Sequence, residues 1–225
     1  MIGVLVHGIG TFLYWATPQV SHGSNLMIEV LRRTLLKLFE AKGHLPPTLH
    51  LQLDNASDNK SKLFFSFLAF LVEKRVFNCI KVSYLIVGHT HEDIDSYFSA
   101  LSRFFKFSLK KFTTISAFLS ALKSAFVSPG LIPKCTEQVE FCYDCSELSN
   151  KFLDPNFARF DVHESTGDKI HHFVLRQNLN GKAVMQYKLY RYSNAVYPRK
   201  YITSTENWES TTQHAKILSI WLKKE

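Results

Sequence analysis

The densest group of potential catalytic side chains lies between residues 87 and 99, in the segment VGHTHEDIDSYFS. His89, His91, Glu92 and Asp95 follow an apolar run that is typical of a buried strand. Carboxylates suit Mg²⁺ and Mn²⁺, which are hard cations that take oxygen ligands. A helix that begins here explains Glu92 through its macrodipole, whereas Asp95 lies further along, beside the apolar stripe. The segment therefore predicts a cation site that includes Asp95.

A second polar segment, QLDNASDNK, follows a run of alternating apolar and polar residues. Asp54 stands at the carboxyl end of this predicted strand, and Asp58, Asn59 and Lys60 come shortly after it. Open mixed sheets place ligands at the carboxyl ends of their strands, so Asp54 is a candidate ligand for the same cation. The alternative is an ordinary strand-to-helix loop in which Asp58 or Asn59 caps the next helix.

Zinc is the competing metal. His89 and His91 together with Asp54 would supply three zinc ligands, although a single H-x-H pair is weak evidence for such a site. Cys142 and Cys145 form a C-x-x-C pair, but no second pair of matching spacing completes a structural zinc site. Free thiols in a reducing compartment are the favoured interpretation of these cysteines.

Hydrophobic periodicity and turn residues predict the element order ββαβαβα before residue 108. Ser24 or Asn25 is predicted to cap the first helix, and Gly43 to end it. The predicted elements are strands at 2–6 and 11–15, a helix at 24–42, a strand at 49–54, a helix at 61–75, a strand at 80–87 and a helix at 91–107.

The organisation changes towards the carboxyl end. A further helix is predicted at 114–127, before the break SPGLIP. Asn180 and Gly181 then predict a β-hairpin with a type I′ turn, and a terminal helix follows. These features predict a core domain at 1–130 and a small β-rich appendage at 131–225.

The motif G-H-T-H-E-D-I-D-x-x-F-S, preceded by L-Q-L-D-N-x-x-x-N-K, resembles the DUF7869-type domain, a relic of mobile elements. The resemblance covers roughly residues 2–125. It implies an RNase H-like fold, a mixed sheet flanked by helices, in which acids from the first strand, the fourth strand and the last core helix bind two metal ions. Asp54 matches the second acid. Asp95, which follows Ile94 in the final helix, matches the third acid.

The resemblance also implies an upstream strand of the form I-x-D-G-M-D, and the present sequence starts with what should be the second strand. We therefore expect a truncated or degenerate DDE-type transposase or nuclease whose first strand and first acid are absent. In an intact site, Mg²⁺ or Mn²⁺ held by Asp54, Asp95 and Glu92 would promote attack on a DNA phosphodiester. His89 or His91 would orient the attacking water or contact phosphate, and a structural role is the alternative for both.

Lys and Arg outnumber Asp and Glu by 27 to 19, which gives a net charge of +8 and predicts attraction to polyanions. Basic residues in and between the two predicted late helices, Lys106, Lys110, Lys111 and Lys123, are interleaved with phenylalanines that also fit a hydrophobic core. These features keep a second function open, a catalytically inactive domesticated module that binds nucleic acid or protein.

The sequence contains no apolar run of about 18 residues and no recognisable signal peptide at its start. We therefore expect an intracellular protein without a membrane partner, with the nucleus as one candidate compartment. A sheet that lacks a central strand exposes strand edges, which recruit other strands. A strand-donating partner or a homo-oligomer is the corresponding prediction.

Overall fold

The structure, a computed structural model, describes residues 1–54, 56–84, 93–107, 114–126, 132–152, 172–188 and 200–201. Its strands are β1 (Ile2–Val6), β2 (Gly10–Ala16), β3 (Thr48–Leu53), β4 (Cys79–Tyr84), β5 (Cys135–Val139), β6 (His172–Gln177), β7 (Ala183–Lys188) and β8 (Lys200–Tyr201). Its helices are α1 (Ser24–Lys42), α2 (Lys62–Glu73), α3 (Asp93–Phe107), α4 (Ile115–Ala125) and α5 (Ser146–Phe152). The predicted mixed α/β class is confirmed.

The chain divides into two compact units, each of which combines two separate stretches of sequence. The first unit consists of residues 1–20 and 90–141, and the second of residues 21–89 and 142–225. The hairpin β6–β7, which the sequence suggested as part of an appendage, pairs through β6 with β4 of the second unit. Independent folding of a core that ends near residue 130 stays a prediction.

The sheet of the first unit has the strand order β1-β2-β5. β1 and β2 form the predicted antiparallel hairpin, and Gly8 in its turn has a φ of 76°, a conformation that glycine adopts without steric cost. β5 pairs in parallel with β2, although the two strands lie far apart in the sequence. This parallel pairing had no signal in the local sequence.

Helices α3 and α4 bury their apolar faces together with β2 in the first unit. The buried side chains of this cluster are Leu13, Tyr97, Leu101, Leu122 and Ala125. Gly3 of β1 allows α3 to approach closely, because a Cβ atom at this position would lie 2.8 Å from the ring of Phe98. A larger residue here would therefore require the side chains of Phe98 and Ile94 to shift.

The sheet of the second unit has the order β3-β4-β6-β7-β8. β3 and β4 are parallel, and the remaining neighbours are antiparallel. α2 packs against this sheet and is apolar on all sides, so that every residue from Phe64 to Val72 is buried. In the part of the chain that the structure describes, β3 lies at a sheet edge, and the strand-donating or homo-oligomeric partner stays a prediction.

The first helix begins and ends where the sequence predicts, but the prediction of its cap was wrong. Neither Ser24 nor Asn25 caps α1, whose N-cap residue is Gly23. Both side chains make tertiary hydrogen bonds instead: Ser24 Oγ to Ser61 Oγ at 2.6 Å, and Asn25 Oδ1 from the Cys145 N–H at 3.1 Å. Gly43, with a φ of 74°, ends the helix as predicted.

The hairpin between β6 and β7 forms at the predicted place with a different turn. Asn178 and Lys182 close a three-residue loop, because the Asn178 N–H donates to the Lys182 carbonyl at 2.8 Å. Gly181 has a φ of 76°, whereas Asn180 is not in the left-handed region, so the type I′ prediction was wrong. The Asn178 side chain stabilises the loop by accepting from the N–H groups of Asn180 and Lys182, both at 2.9 Å.

Candidate functional site

Asp54 follows the last residue of β3, at the carboxyl end of the parallel pair β3–β4. Its side chain is exposed, and one of its oxygens is held in place by two donors. Oδ1 accepts a hydrogen bond from Asn59 Nδ2 at 2.6 Å and one from the Ala56 N–H at 3.0 Å. Both bonds fix the orientation of the carboxylate, so its second oxygen, Oδ2, has a defined direction.

Asn59 is itself positioned by a tyrosine of the neighbouring strand. Tyr84, the last residue of β4, donates its hydroxyl hydrogen to the Asn59 carbonyl at 2.5 Å. Burial, with a smaller contribution from the Asp54 carboxylate, raises the pKa of Tyr84, so the hydroxyl remains protonated and able to donate. The ammonium of Lys60, which is 3% exposed, lies 4.6 Å from the centre of the Tyr84 ring.

The loop that carries Asn59 is tied to two helices by a pair of serines. Ser61 Oγ accepts from the Phe64 N–H at 3.1 Å and thereby caps α2. Ser24 Oγ lies 2.6 Å from Ser61 Oγ and donates to the Asp58 carbonyl at 3.2 Å. The sequence suggested Asp58 or Asn59 as the cap, but Ser61 has this role, which leaves the Asn59 side chain to hold Asp54.

One buried acceptor next to Asp54 lacks a donor. Asn59 Oδ1 is fully buried and has no hydrogen-bond partner among the residues that the structure describes. Buried carbonyl oxygens are nearly always satisfied by a donor or a cation. The Asp54 carboxylate and the Asn59 amide supply only oxygen ligands, which are the donor type that Mg²⁺ and Mn²⁺ take. The donor type of these two residues therefore suits a hard divalent cation, although no group of three or more acidic, histidine or cysteine side chains surrounds them among the described residues.

The other predicted site residues are spread over the two units or lie outside the described residues. Asp95 is exposed on α3 of the first unit, whereas Asp54 belongs to the second unit. His89, His91 and Glu92 lie outside the described residues. Their predicted roles as ligands or as general acid–base groups stay predictions.

Local sequence reasoning found Asp54 and noted Asn59, but it missed Tyr84. The network depends on the register of β3 and β4, in which Leu53 is opposite Tyr84, so that the tyrosine stands beside the residue that precedes Asp54. The sequence contained no signal for this tyrosine, because the predicted strand at 80–87 continues past it. The contact of Tyr84 with Asn59 depends on the parallel pairing of β3 with β4, which the local sequence does not predict.

The segment from Cys142 to Cys145 packs against α1 and contains free thiols. Asn25 accepts from the Cys145 N–H and donates to Asp144 Oδ1 at 3.4 Å, and the Arg32 guanidinium lies 5.7 Å from the ring centre of Tyr143. Within the described ranges, no group of three or more His, Cys, Asp or Glu side chains has the geometry of a metal site. A zinc site formed by these cysteines together with residues outside those ranges stays untested.

Cys145 should react slowly with alkylating reagents in the folded protein. Burial, followed by the negative charge of Glu29, raises the pKa of this thiol to about 12. Because only the thiolate reacts, the rate at pH 8 should be roughly a thousandfold lower than in the urea-unfolded chain. Because the folded pKa is raised, Cys145 favours the folded state below the ordinary thiol pKa, and this contribution is lost as pH rises towards 12. Mass spectrometry of timed iodoacetamide labelling measures the rate, and equal rates in both states would contradict the burial.

The two late helices carry part of the basic residues that the sequence singled out. Lys106 of α3 and Lys123 of α4 are exposed, and Lys110 and Lys111 lie outside the described residues. Phe104 and Phe105 are half-buried and pack against the core of the first unit. A hydrophobic role explains these two phenylalanines, and phosphate contact by the lysines stays a prediction.

None of the described helices is long and apolar enough to cross a membrane. Searches of curated proteins and of solved structures gave no significant match. The model of the domain of unknown function DUF7869 matches residues 1–193, a longer part of the chain than the two motifs span. The chain therefore belongs to the DUF7869 family.

Proposed function

We propose that this chain is a transposon-derived domain of the RNase H-like class that binds Mg²⁺ or Mn²⁺ through Asp54 and acts on DNA phosphodiesters. The observation that carries the proposal is the exposed Asp54 carboxylate at the carboxyl end of β3, with one oxygen fixed by Asn59 and Ala56. Catalytic carboxylates require such fixed geometry, because small displacements of a ligand weaken both metal binding and reaction.

Each neighbour of Asp54 has a defined part in this proposal. Asn59 orients Asp54 through its amide N–H and offers Oδ1 as a further oxygen ligand. Tyr84 holds the Asn59 backbone in place, and Ser61 anchors the loop to α2. A bound divalent ion would supply activation of water or a 3′-OH and stabilisation of the leaving oxygen. Asp54 and Asn59 would hold this ion, and Tyr84 and Ser61 would keep those two residues in position.

Asp95 is the second metal-binding acid of the proposal, on the basis of the family resemblance. The exposed position of its side chain on α3 is compatible with this role. His89, His91 and Glu92 are the remaining candidates, as general acid–base groups or additional ligands. Because Asp54 and Asp95 belong to different units, the experiments examine each acid separately.

Binding of nucleic acid without cleavage is the second candidate function. The net charge of +8 favours it, as do three exposed basic side chains on α3 and α4, Arg103, Lys106 and Lys123. Under this alternative, the chain would bind DNA without cleaving it, whether or not Mn²⁺ is present. The two functions therefore differ in a measurable way.

Isothermal titration of Mn²⁺ and Mg²⁺ into the purified chain tests the metal site. The wild type should bind Mn²⁺, and Asp54→Ala should abolish the heat. Asn59→Ala should weaken Mn²⁺ affinity by roughly 10- to 100-fold, as expected for loss of a group that orients a metal ligand. Asp95→Ala is titrated in parallel to measure the contribution of the second acid.

Glu40→Gln is the matched control, because Glu40 is an exposed carboxylate of the same unit on α1. It should titrate like the wild type. Absence of heat in the wild type, or an Asp54→Ala variant that binds as the wild type does, would rule out the metal site. If heat is present, cleavage of labelled duplex DNA in Mn²⁺ should likewise disappear in Asp54→Ala.

A further inference from the structure

The five-stranded sheet of the second unit has an outer face that turns away from α2. Successive strand residues point to opposite faces, and the apolar set of β4, made of Ile80, Val82 and Tyr84, lies in the hydrophobic core. The residues between them, such as Lys81 and Ser83, therefore belong to the opposite side. The same alternation holds in β3 and β6. We call this side the outer face.

Among the strand residues that the structure describes, the outer face carries basic and hydrogen-bonding side chains and no carboxylate. None of the five strands contains an aspartate or a glutamate. Four side chains of the outer face are exposed, namely His50, Gln52, Lys81 and Arg176. Ser83 and His172 are half-buried there, and a hydrogen bond of 3.0 Å joins His172 Nδ1 to Ser83 Oγ. The described strand residues therefore give this face an excess of basic side chains.

The strand register brings the basic side chains close together. His50 is opposite Lys81 on the neighbouring strand, and Lys81 is opposite Val174 of β6. Arg176 lies two residues beyond Val174, so Lys81 and Arg176 are diagonal neighbours, about 7–8 Å apart at their backbones. Both side chains can reach neighbouring phosphates of one strand without rearrangement of the sheet.

A groove of about 580 Å³ lies beside Arg176 at the β6–β7 end of the sheet. Amide side chains of Gln177, Asn178, Asn180 and Gln186 line it together with two apolar side chains, Leu179 and Val184. Phosphate and sugar oxygens are bound in protein–DNA complexes mainly by Arg, Lys, Ser, Thr, Asn and Gln. The groove extends the same set of side-chain types beyond the two cations.

We propose that the outer face binds the phosphate backbone of DNA through Lys81 and Arg176, with His50, Gln52 and Ser83 as neighbouring contacts. The inference deepens the proposed function and rests on it for the choice of DNA as the ligand. β3 and β4 run across this face towards Asp54, which follows the end of β3, so a strand bound here leads towards the candidate metal site.

Charge complementarity favours nucleic acid over an acidic protein as the occupant. The apolar members of the face, Val174 and Val184, are half-buried and buried, and its exposed described members lack the large apolar or aromatic side chains that anchor most protein partners. Its basic residues are distributed over neighbouring strands, as a ligand with regularly repeated charges requires. A folded acidic partner would need an apolar centre, which these positions do not offer.

Fluorescence anisotropy of a labelled 20-base-pair duplex, measured in EDTA, tests the inference without any metal. The variant Lys81→Glu/Arg176→Glu should raise the Kd at least about tenfold at low salt. The milder Lys81→Gln/Arg176→Gln should reduce the magnitude of the slope of log K against log salt by about 2. Each lost phosphate contact reduces this magnitude by roughly 1. Lys42→Glu is the matched control, an exposed lysine at the end of α1.

Three outcomes would overturn the inference: no binding by the wild type, equal losses in the double variants and in Lys42→Glu, or tighter binding of poly-glutamate than of duplex. Circular dichroism confirms that each variant is folded. Asp54→Ala should bind the duplex in EDTA like the wild type. Absence of Mn²⁺ heat together with retained DNA binding would therefore contradict the proposed metal site alone, and the reverse pattern would contradict the outer face alone.

Discussion

Replacement of Phe65 by alanine should lower the free energy of unfolding of the second unit by about 3–5 kcal/mol. Phe65 lies on α2 with no exposed surface, and its ring centre is 4.8 Å from that of Phe173 on β6. The substitution removes one of the contacts that join the helix to the sheet and leaves a cavity between buried neighbours. Most domains are stable by only about 5–15 kcal/mol, so a large part of the stability is at stake.

Urea unfolding followed by far-ultraviolet circular dichroism measures the change. Phe65→Leu is the matched control, because it keeps most of the apolar volume and should cost less than half as much. A loss below about 1 kcal/mol for the alanine variant would show that α2 does not pack on β6 as described.

Replacement of Glu29 by alanine should cost about 3 kcal/mol, because a buried ion pair loses one partner. Glu29 is 2% exposed on α1, and its carboxylate accepts from Arg32 Nε at 2.8 Å, Arg32 Nη2 at 2.7 Å and Arg33 Nε at 2.6 Å. Without the carboxylate, two partly buried guanidinium groups lose their anionic partner. The Arg32 guanidinium also lies above Tyr143, so the segment that carries Cys145 should loosen.

The ion-pair explanation has its own control. Replacing Glu29, Arg32 and Arg33 together by Met, Met and Leu should restore much of the lost stability, because apolar residues of similar volume tolerate this environment. Faster amide hydrogen exchange at residues 142–145 in Glu29→Ala than in wild type would report the local loosening, because this readout does not depend on the pKa of the Cys145 thiol, which the Glu29 charge itself raises. Equal destabilisation by the single and the triple variant would contradict the assignment.

Local patterns predicted most elements of the fold because each is encoded by its own residues. The apolar spacing from Leu26 to Leu38 predicted α1 with its observed bounds, and Gly43 predicted its end. The strand that the sequence placed at 49–54 appears as Thr48–Leu53. Asp54 was placed at a strand end by the same alternation, and the structure describes it there.

The pairing of distant strands could not be predicted in this way. β5 joins β2, and β6 joins β4, across long stretches of sequence. Such pairings depend on which apolar faces fit together: Phe173 and Leu175 of β6 complete the core beside α2. The contacts of Asn59 with Asp54 and Tyr84 were hidden for the same reason, since they require the register of β3 against β4.

Caps and turns were predicted less well than helices, because tertiary contacts compete for the same polar side chains. Ser24 and Asn25 have the residue types of a cap, yet they bind Ser61 and Cys145. Asn180-Gly181 has the sequence of a type I′ turn, yet the side chain of Asn178 stabilises a longer loop. Local propensity was outweighed in each case by a specific hydrogen bond.

The most direct test of Asp54 as a metal ligand is paramagnetic broadening by Mn²⁺ in ¹H–¹⁵N NMR spectra. Asn59 Nδ2 and the Ala56 N–H both donate to Asp54 Oδ1, at 2.6 and 3.0 Å. At substoichiometric Mn²⁺, these two signals should broaden before all others in wild type and remain sharp in Asp54→Ala. Broadening centred elsewhere, or equal broadening in both proteins, would contradict the proposed site.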